Sequence, residues 1–484
     1  MKPQLHIENK EIERSLHLVI VDGISSEIVV CLTSGAFLVA TALLLGASNF
    51  QIGLLAAFPS LTNLAQLFSI LLMRRFPNRK SITTISLIIA RTPLIIIGWL
   101  LFQFGISVYF LMVMMFIHYL FSSVGGAGWN SWIKDLVPED QLGQYFSKRS
   151  RYMQIVNICL SLLVAVMVDY FTSKHPSGLL SLYSVYFIIA GSVGLTGTFF
   201  LSQAVEPQSY LSKGDFFDLF MMPLRNKNFR NMLWFNGAWV FAINLAVPFF
   251  MVFMLRTLKI PMTYIIALTV ISQVFSVLTI QLWGKLSDRY SNKSIIYLST
   301  PIYIVCIIAW IFVGIYSRWY VNMALLVGIH IFTGISTAGI NLALTNIGLK
   351  LAPKTDAVVY LSVKNIITSV FSSVSPLLGG ILADYFSNKQ LKITFEWISP
   401  QFNKLLKLIY LHEWNFLFLI GALLALLSLR LLAKVQEQGE VGHSIVKRIM
   451  KTRFKSDLKE SFIIGNIVTW HSMLKAILKR KKAA

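Results

Sequence analysis

Apolar runs of about 20 residues recur along the chain from residue 18 to residue 434, separated mostly by short polar stretches. Each run is long enough to cross a ~30 Å hydrocarbon core as a helix. The pattern predicts twelve spans, beginning near residues 18, 50, 82, 107, 150, 180, 230, 261, 294, 319, 357 and 409. A transmembrane barrel would instead alternate in segments of about ten residues. Two connections are longer than turns: 204–229, and the stretch 385–408 between the last two spans.

Composition sharpens this picture. Of 484 residues 56% are hydrophobic and 13% charged, against about 25% charged in a soluble domain; the mean hydropathy is +0.67. The net charge of +22 would suggest nucleic acid, but its placement excludes that reading. If the N-terminus is cytoplasmic, 34 of the 43 Lys and Arg fall on the cytoplasmic side, eight outside, and Arg91 within a span. That asymmetry is how membrane orientation is encoded, and it places both termini in the cytoplasm, with the bacterial inner membrane as the expected location. Residues 1–17 are polar and mixed in charge, unlike a cleavable signal. Cys31, Cys159 and Cys306 lie in separate apolar runs without CxxC spacing, so neither disulfide nor metal chemistry is expected. No cofactor motif occurs.

The chain repeats itself. Leu136, Pro138, Tyr145 and Ser147 recur 215 residues on as Leu351, Pro353, Tyr360 and Ser362. Asp169-Tyr170-Phe171 recurs as Asp384-Tyr385-Phe386 at the same offset, and Gly23, Arg75 and Asn78 recur at 214 as Gly237, Arg289 and Asn292. The expected organisation is a cytoplasmic N-terminus (1–17), a six-helix bundle (18–203), a cytoplasmic middle loop (204–229), a second six-helix bundle (230–434) and a basic tail (435–484). Paired halves of this kind place a solute site between them near the midplane.

Between spans eight and nine stands GKLSDRYSNKS, residues 284–294. It resembles the signature G-x-L-x-D-R-x-G-R-K of the major facilitator superfamily: Gly284, Leu286, Asp288, Arg289 and Lys293 match, and Ser291 replaces the second glycine. The first-half counterpart ILLMRRFPNRK keeps Arg75 and Lys80 but has Arg74 in place of the aspartate. With twelve spans and duplicated halves, the resemblance covers residues 18–434 and implies an all-α membrane protein of two six-helix bundles, moving a small solute by alternating access. It further implies a latch of Gly284, Asp288, Arg289, Lys293 and Arg75 that joins the halves on the cytoplasmic side, lopsided because the first half lacks the acid. The alternative is that these cations only fix topology. SPLLGG in span eleven echoes part of an antiporter signature expected in span five, where it is missing; Pro376 and the glycines are read as kinking and packing that helix.

Ionisable groups at membrane depth are the functional candidates. Glu27 and Arg91 each lie about nine residues from the cytoplasmic end of their spans, a shared depth of roughly 14 Å, and are expected to pair; the pair serves either the solute or only the structure. His118 and His330, mid-span in equivalent helices, are candidates for a coupling proton or are hydrogen-bonded core residues. Asn157, Asn236, Asn244, Gln273 and Asn341 line the cavity or join helices. Trp129 and Trp132 are anchors at the membrane surface or stack on solute.

Three function classes remain. A secondary transporter of a small polar solute, with the two histidines as candidates to carry a coupling proton, is favoured. No Walker A sequence appears, which argues against ATP hydrolysis within the chain. A membrane enzyme such as an acyltransferase would use the HxxxxD string His17–Asp22, but that string runs straight into the first span. A transport-silent receptor on the same fold is the third. The tail carries 11 basic and four acidic residues from 435 onward, with Ile445, Ile449, Phe454, Leu458 and Phe462 near helical spacing; an amphipathic helix on anionic lipid is expected, with protein binding as the competing role. The protein is expected to act as a monomer.

Overall fold

The structure is a computed structural model that describes residues 8–76, 78–138, 142–208, 216–315, 318–353, 357–399 and 402–437. The tail beyond residue 437, with its expected amphipathic helix, lies outside the described residues. Among the described residues eleven helices are long and apolar enough to cross a membrane. The other predicted span, the second, is present but broken: α3 (Asn49–Thr62) and α4 (Gln66–Arg75) are joined by a 3-10 turn at Asn63–Ala65. Pro59 removes a backbone donor within α3, and Thr62 Oγ1 donates to the Phe58 carbonyl at 2.8 Å, a local bond that competes with the helical ladder.

In the first half, α1 (Asn9–Thr33) and α2 (Gly35–Leu44) form the first span, bent at Ser34 where Gly35 adopts φ +55°. Then follow α5 (Arg79–Gln103), α6 (Val108–Leu136), α7 (Leu142–Lys174) and α8 (Leu179–Leu201). The short α9 (Phe216–Arg225) occupies the middle connection. The second half comprises α10 (Lys227–Val252), which ends in a π-helical turn, α11 (Met262–Tyr290), α12 (Asn292–Trp310), α13 (Trp319–Leu351), α14 (Ala357–Phe386) and α15 (Trp414–Leu432). Side-chain caps start many of them: Ser48 with Gln51 as a capping box on α3, Asn78 on α5, Ser107 on α6, Asn226 on α10 and Ser291 on α12.

The twelfth span begins later than its apolar run. Residues 390–399 and 402–412 form an antiparallel hairpin, β1 (Gln390–Ser399) paired with β2 (Phe402–His412), with a register shift at Ile393/Thr394. β-branched and aromatic residues such as those of KITFEWI favour strands, and the apolar segment LLKLIYLH completes the hairpin instead of opening the helix.

The first and last described stretches lie with the connections that follow α4, α6, α8 and α11 at one end of the molecule, the terminal side. There each half is tied by a carboxylate that follows its last helix. Glu206 accepts from the Arg79 N–H at 2.7 Å, and Lys80 Nζ donates to the Ala204 carbonyl at 2.8 Å. Arg79 also reaches Asp135 at 2.5 Å. In the second half Glu437 accepts from the N–H groups of Asn292 and Lys293 at 3.2 and 2.8 Å, while Lys293 Nζ donates to the Val435 carbonyl at 2.7 Å. In both cases an anion closes the positive start of a helix.

Ser291 carries backbone strain. Its φ is +138° with ψ 155°, a region that is essentially glycine's, at the position where the superfamily signature has glycine. Its hydroxyl caps the Ser294 N–H at 3.2 Å. Relief of about 1–3 kcal/mol of strain outweighs a few tenths for a cap replaced by glycine and about 0.5–1 kcal/mol of added chain entropy. Ser291→Gly should therefore raise stability by about 1 kcal/mol, read as a higher melting temperature in detergent; a lower one would refute the strain.

Burial opposes ionisation of Glu437, but hydrogen bonds from Lys293, Asn292 and Lys350 outweigh it and hold the carboxyl below the usual range. The resulting stabilisation is complete above the ordinary carboxylate pKa of about 4.3 and is lost as pH falls through the lower folded value. Glu437→Gln should destabilise by about 2 kcal/mol at pH 7, and the gap to the native protein should narrow below about pH 4. A gap independent of pH would show that the charge does not contribute.

Candidate solute-binding site

A vestibule of about 710 Å³ lies between the halves, chiefly between α7 and α11. Ser150, Gln154 and Asn157 line it from α7, at the i, i+4, i+7 spacing that shares one helical face. Ser272 and Gln273 face them from α11, Thr337 from α13 and Glu27 from α1. Asn157 Nδ2 donates to Glu27 Oε1 at 2.7 Å. Among the residues lining the vestibule, Glu27 alone is ionisable. The wall thus offers one carboxylate, amides and hydroxyls above an apolar floor, which suits a solute rich in hydrogen-bond donors.

The expected Glu27–Arg91 pair does not form. Arg91 is buried and its Nη2 donates to Ser26 Oγ at 3.0 Å. Residues share a depth without sharing a face: one step along a helix turns the side chain by about 100°, so Ser26 meets α5 while Glu27 turns to α7. Asp22, also buried, is the acid whose charge acts on Arg91 and on Arg149. The Arg149 guanidinium lies against Gly23 and 4.6 Å from the Trp129 ring centre, a cation–π contact. Position 149 was missed because its cluster, SKRSR, reads as a topological charge at a span boundary.

The remaining candidates separate. His118 is buried and its Nδ1 meets the Ala90 carbonyl at 2.7 Å, a core placement away from the vestibule. His330 lines a smaller cavity inside the second half. Asn236 is buried and donates to Thr368 Oγ1 at 2.7 Å; Asn244 donates to the Val240 carbonyl of its own helix at 2.9 Å. Of the expected lining residues, only Glu27, Asn157 and Gln273 come together. Trp132 is buried and its indole N–H donates to the Val205 carbonyl at 2.8 Å. His17 is exposed while Asp22 is buried, so the HxxxxD residues do not converge. Among the described residues no group of three or more His, Cys, Asp or Glu is placed to hold a metal.

The end opposite the termini, the far side, is closed by contacts between the halves. A Cβ on Gly53 of α3 would lie 2.3 Å from the Pro376 carbonyl oxygen of α14, and one on Gly380 would lie 2.8 Å from the Asn49 carbonyl oxygen; only glycine permits these backbones to touch. SPLLGG therefore works at two faces, because Gly379 meets α10 at Leu245. Asp384 of α14 accepts from the Phe50 N–H at the start of α3 at 3.0 Å. Asp169 of α7 accepts from the Met262 and Thr263 N–H groups at the start of α11 at 2.7 and 2.8 Å. The repeated Asp-Tyr-Phe thus supplies, twice, a carboxylate that caps a helix of the opposite half. A second hollow of about 680 Å³ opens on the far side beside Asp169, Arg256 and Lys259. Along α7, some ten residues separate it from the vestibule, about 15 Å.

A family model described as Major Facilitator Superfamily matches residues 24–350 and 239–480. The chain belongs to the major facilitator superfamily. A search of curated proteins finds no match. The nucleoside transporter NupG is similar in fold, with a TM-score of 0.62 at 14% identity over 89% of this chain and 100% of that one. The inward open form of the xylose transporter XylE from E. coli gives 0.57 at 12% over 90% and 98%. A bacterial homologue of the human lysosomal transporter Spinster, inward-facing and unoccupied, gives 0.56 at 14% over 94% and 99%. Against the superfamily signature, Asp288 and Arg289 are exposed and Asp288 makes no hydrogen bond or ion pair among the described residues. Arg75 is exposed as well, whereas Lys293 is consumed by the tether within its own half. Among the described residues no hydrogen bond or ion pair is seen to join Asp288, Arg289 or Arg75 across the halves.

Removing either far-side cap should loosen that end. A cap is worth about 0.5–2 kcal/mol, and 1.4 kcal/mol is about tenfold in an equilibrium. Asp169→Ala and Asp384→Ala should each shift the distance between spin labels at residues 46 and 259 towards longer values, and the double variant more so. Unchanged distance distributions would show that the carboxylates do not hold the closure.

Proposed function

We propose that the protein is a secondary transporter of a small polar solute that works by alternating access, seen here open towards the cytoplasm. The observation that carries this reading is the pairing of a polar vestibule between the halves with a far side sealed by Gly53, Gly380 and the two aspartate caps. The excess of Lys and Arg on the terminal side supports that side as cytoplasmic. The unjoined Asp288 agrees with it, because a cytoplasmic latch is released when that side is open. The inner membrane of a bacterium is the proposed location.

Coupling is assigned to protons, and Glu27 is proposed as the carrier. His118, a sequence candidate for this role, is sealed between α5 and α6 at Ala90 and has no face on the vestibule. Glu27 does, and it accepts a hydrogen bond from Asn157 Nδ2. In the proposed cycle solute and proton share this site, and loss of the proton to the cytoplasm lets Asn157 Nδ2 hold the carboxylate. Arg91 and Asp22 stand behind the wall and fix α1 against α5 and α8.

Proteoliposomes loaded with a panel of metabolite classes provide the test. The native protein should accumulate at least one polar solute when an inward proton gradient is imposed. Glu27→Gln should abolish gradient-driven accumulation yet keep counterflow exchange of the same solute. Accumulation that survives Glu27→Gln would remove Glu27 as carrier; absence of flux for every class from a folded protein would count against transport itself.

A further inference from the structure

Inside the second half, among α10, α11, α12 and α13, lies a separate cavity of about 200 Å³. Its walls are mainly aromatic and aliphatic. Phe250 stacks on Trp310 with ring centres 4.4 Å apart and planes 8° from parallel, and the His330 ring meets Trp310 edge-on at 5.8 Å. Tyr303 completes the wall. A cavity of about 150 Å³ lined by apolar side chains holds benzene, so this one has room for one or two fused rings.

Two polar atoms of residues in the cavity wall have no hydrogen-bond partner among the described residues. Tyr303 is 7% exposed and its hydroxyl makes no hydrogen bond among the described residues. His330 Nδ1 meets the Leu326 carbonyl at 2.8 Å; a carbonyl can only accept, so the proton sits on Nδ1 and the neutral ring presents Nε2 as an acceptor. A free donor and a free acceptor thus line one aromatic-walled space. The cavity also touches the vestibule: Ser272 lines both. Beside Ser272, α13 presses on α11 so closely that a Cβ on Gly334 would lie about 2 Å from the Ser272 carbonyl oxygen.

We propose that this cavity is the compartment for a planar aromatic or heteroaromatic ring of the transported solute. Tyr303 Oη donates to a ring acceptor, His330 Nε2 accepts from a ring N–H, and the polar remainder of the solute extends past Ser272 to Gln273, Asn157 and Glu27. The assignment rests on the transporter reading for the word "transported", but the cavity's ligand chemistry stands on its own residues.

Benzimidazole, with one N–H and one bare nitrogen, and its carbon isostere indene are the probes, measured by equilibrium dialysis against the purified full-length protein. Benzimidazole should bind once per chain at up to millimolar concentration. Tyr303→Phe and His330→Leu should each weaken it about tenfold, the worth of one buried hydrogen bond, and leave indene binding little changed. Thr333→Phe, which fills the cavity, should abolish both. No benzimidazole binding to the folded native protein, or equal binding to Thr333→Phe, would overturn the proposal; because the tyrosine and histidine variants preserve the wall, misfolding of the Thr333 variant does not rescue it. Flux assays on the same preparations separate the two readings. Ring binding with no flux of any solute would overturn transport and keep the compartment, whereas flux without ring binding or ring competition would overturn the compartment.

Discussion

The close approach of α3 and α14 at the far side governs the rest of this structure. Two helices from opposite halves can touch backbone to backbone only where side chains vanish, and Gly53 and Gly380 provide that. Contact there brings the starts of α3 and α11 within reach of carboxylates on α14 and α7, which satisfy N–H groups that would otherwise be orphaned at helix ends. With that seal in place the vestibule lies between the halves away from it, and the tethers of Glu206 and Glu437 act within their own halves.

The two halves share a frame and diverge in chemistry. Both tie the start of their third helix to a lysine–carbonyl bond and a trailing glutamate. Both end their fifth helix in a capping Asp-Tyr-Phe. Within the membrane the equivalence lapses. Asp22 and Arg149 of the first half correspond by offset to Asn236 and Lys364 of the second. Asn236 bonds Thr368, and Lys364 Nζ donates to the Leu344 carbonyl at 2.7 Å. Charge thus concentrates on the first-half wall, where acids and bases offset one another against a costly desolvation. The second half carries amides and aromatic rings.

Much of the fold was legible from the chain. Twelve apolar runs, the 214–215 offset and GKLSDRYSNKS were enough for the superfamily, because helix length against bilayer thickness and duplication both leave long, local traces. Part of the candidate site was legible too: a carboxylate and amides at membrane depth are rare enough to attract notice, and Glu27, Asn157 and Gln273 line one vestibule. What the chain alone could not give was direction around each helix. Depth follows from counting residues, but the face a side chain presents depends on how neighbours rotate the helix, so Glu27 took Asn157 rather than Arg91 and His118 turned inward to Ala90. The tethers escaped for a related reason. Glu206 and Glu437 look like ordinary loop acids until folding returns them to the start of a helix more than a hundred residues earlier. Ser291 shows the same limit in the backbone: sequence marks where glycine is missing, and only the packed chain fixes the positive φ that makes its absence costly.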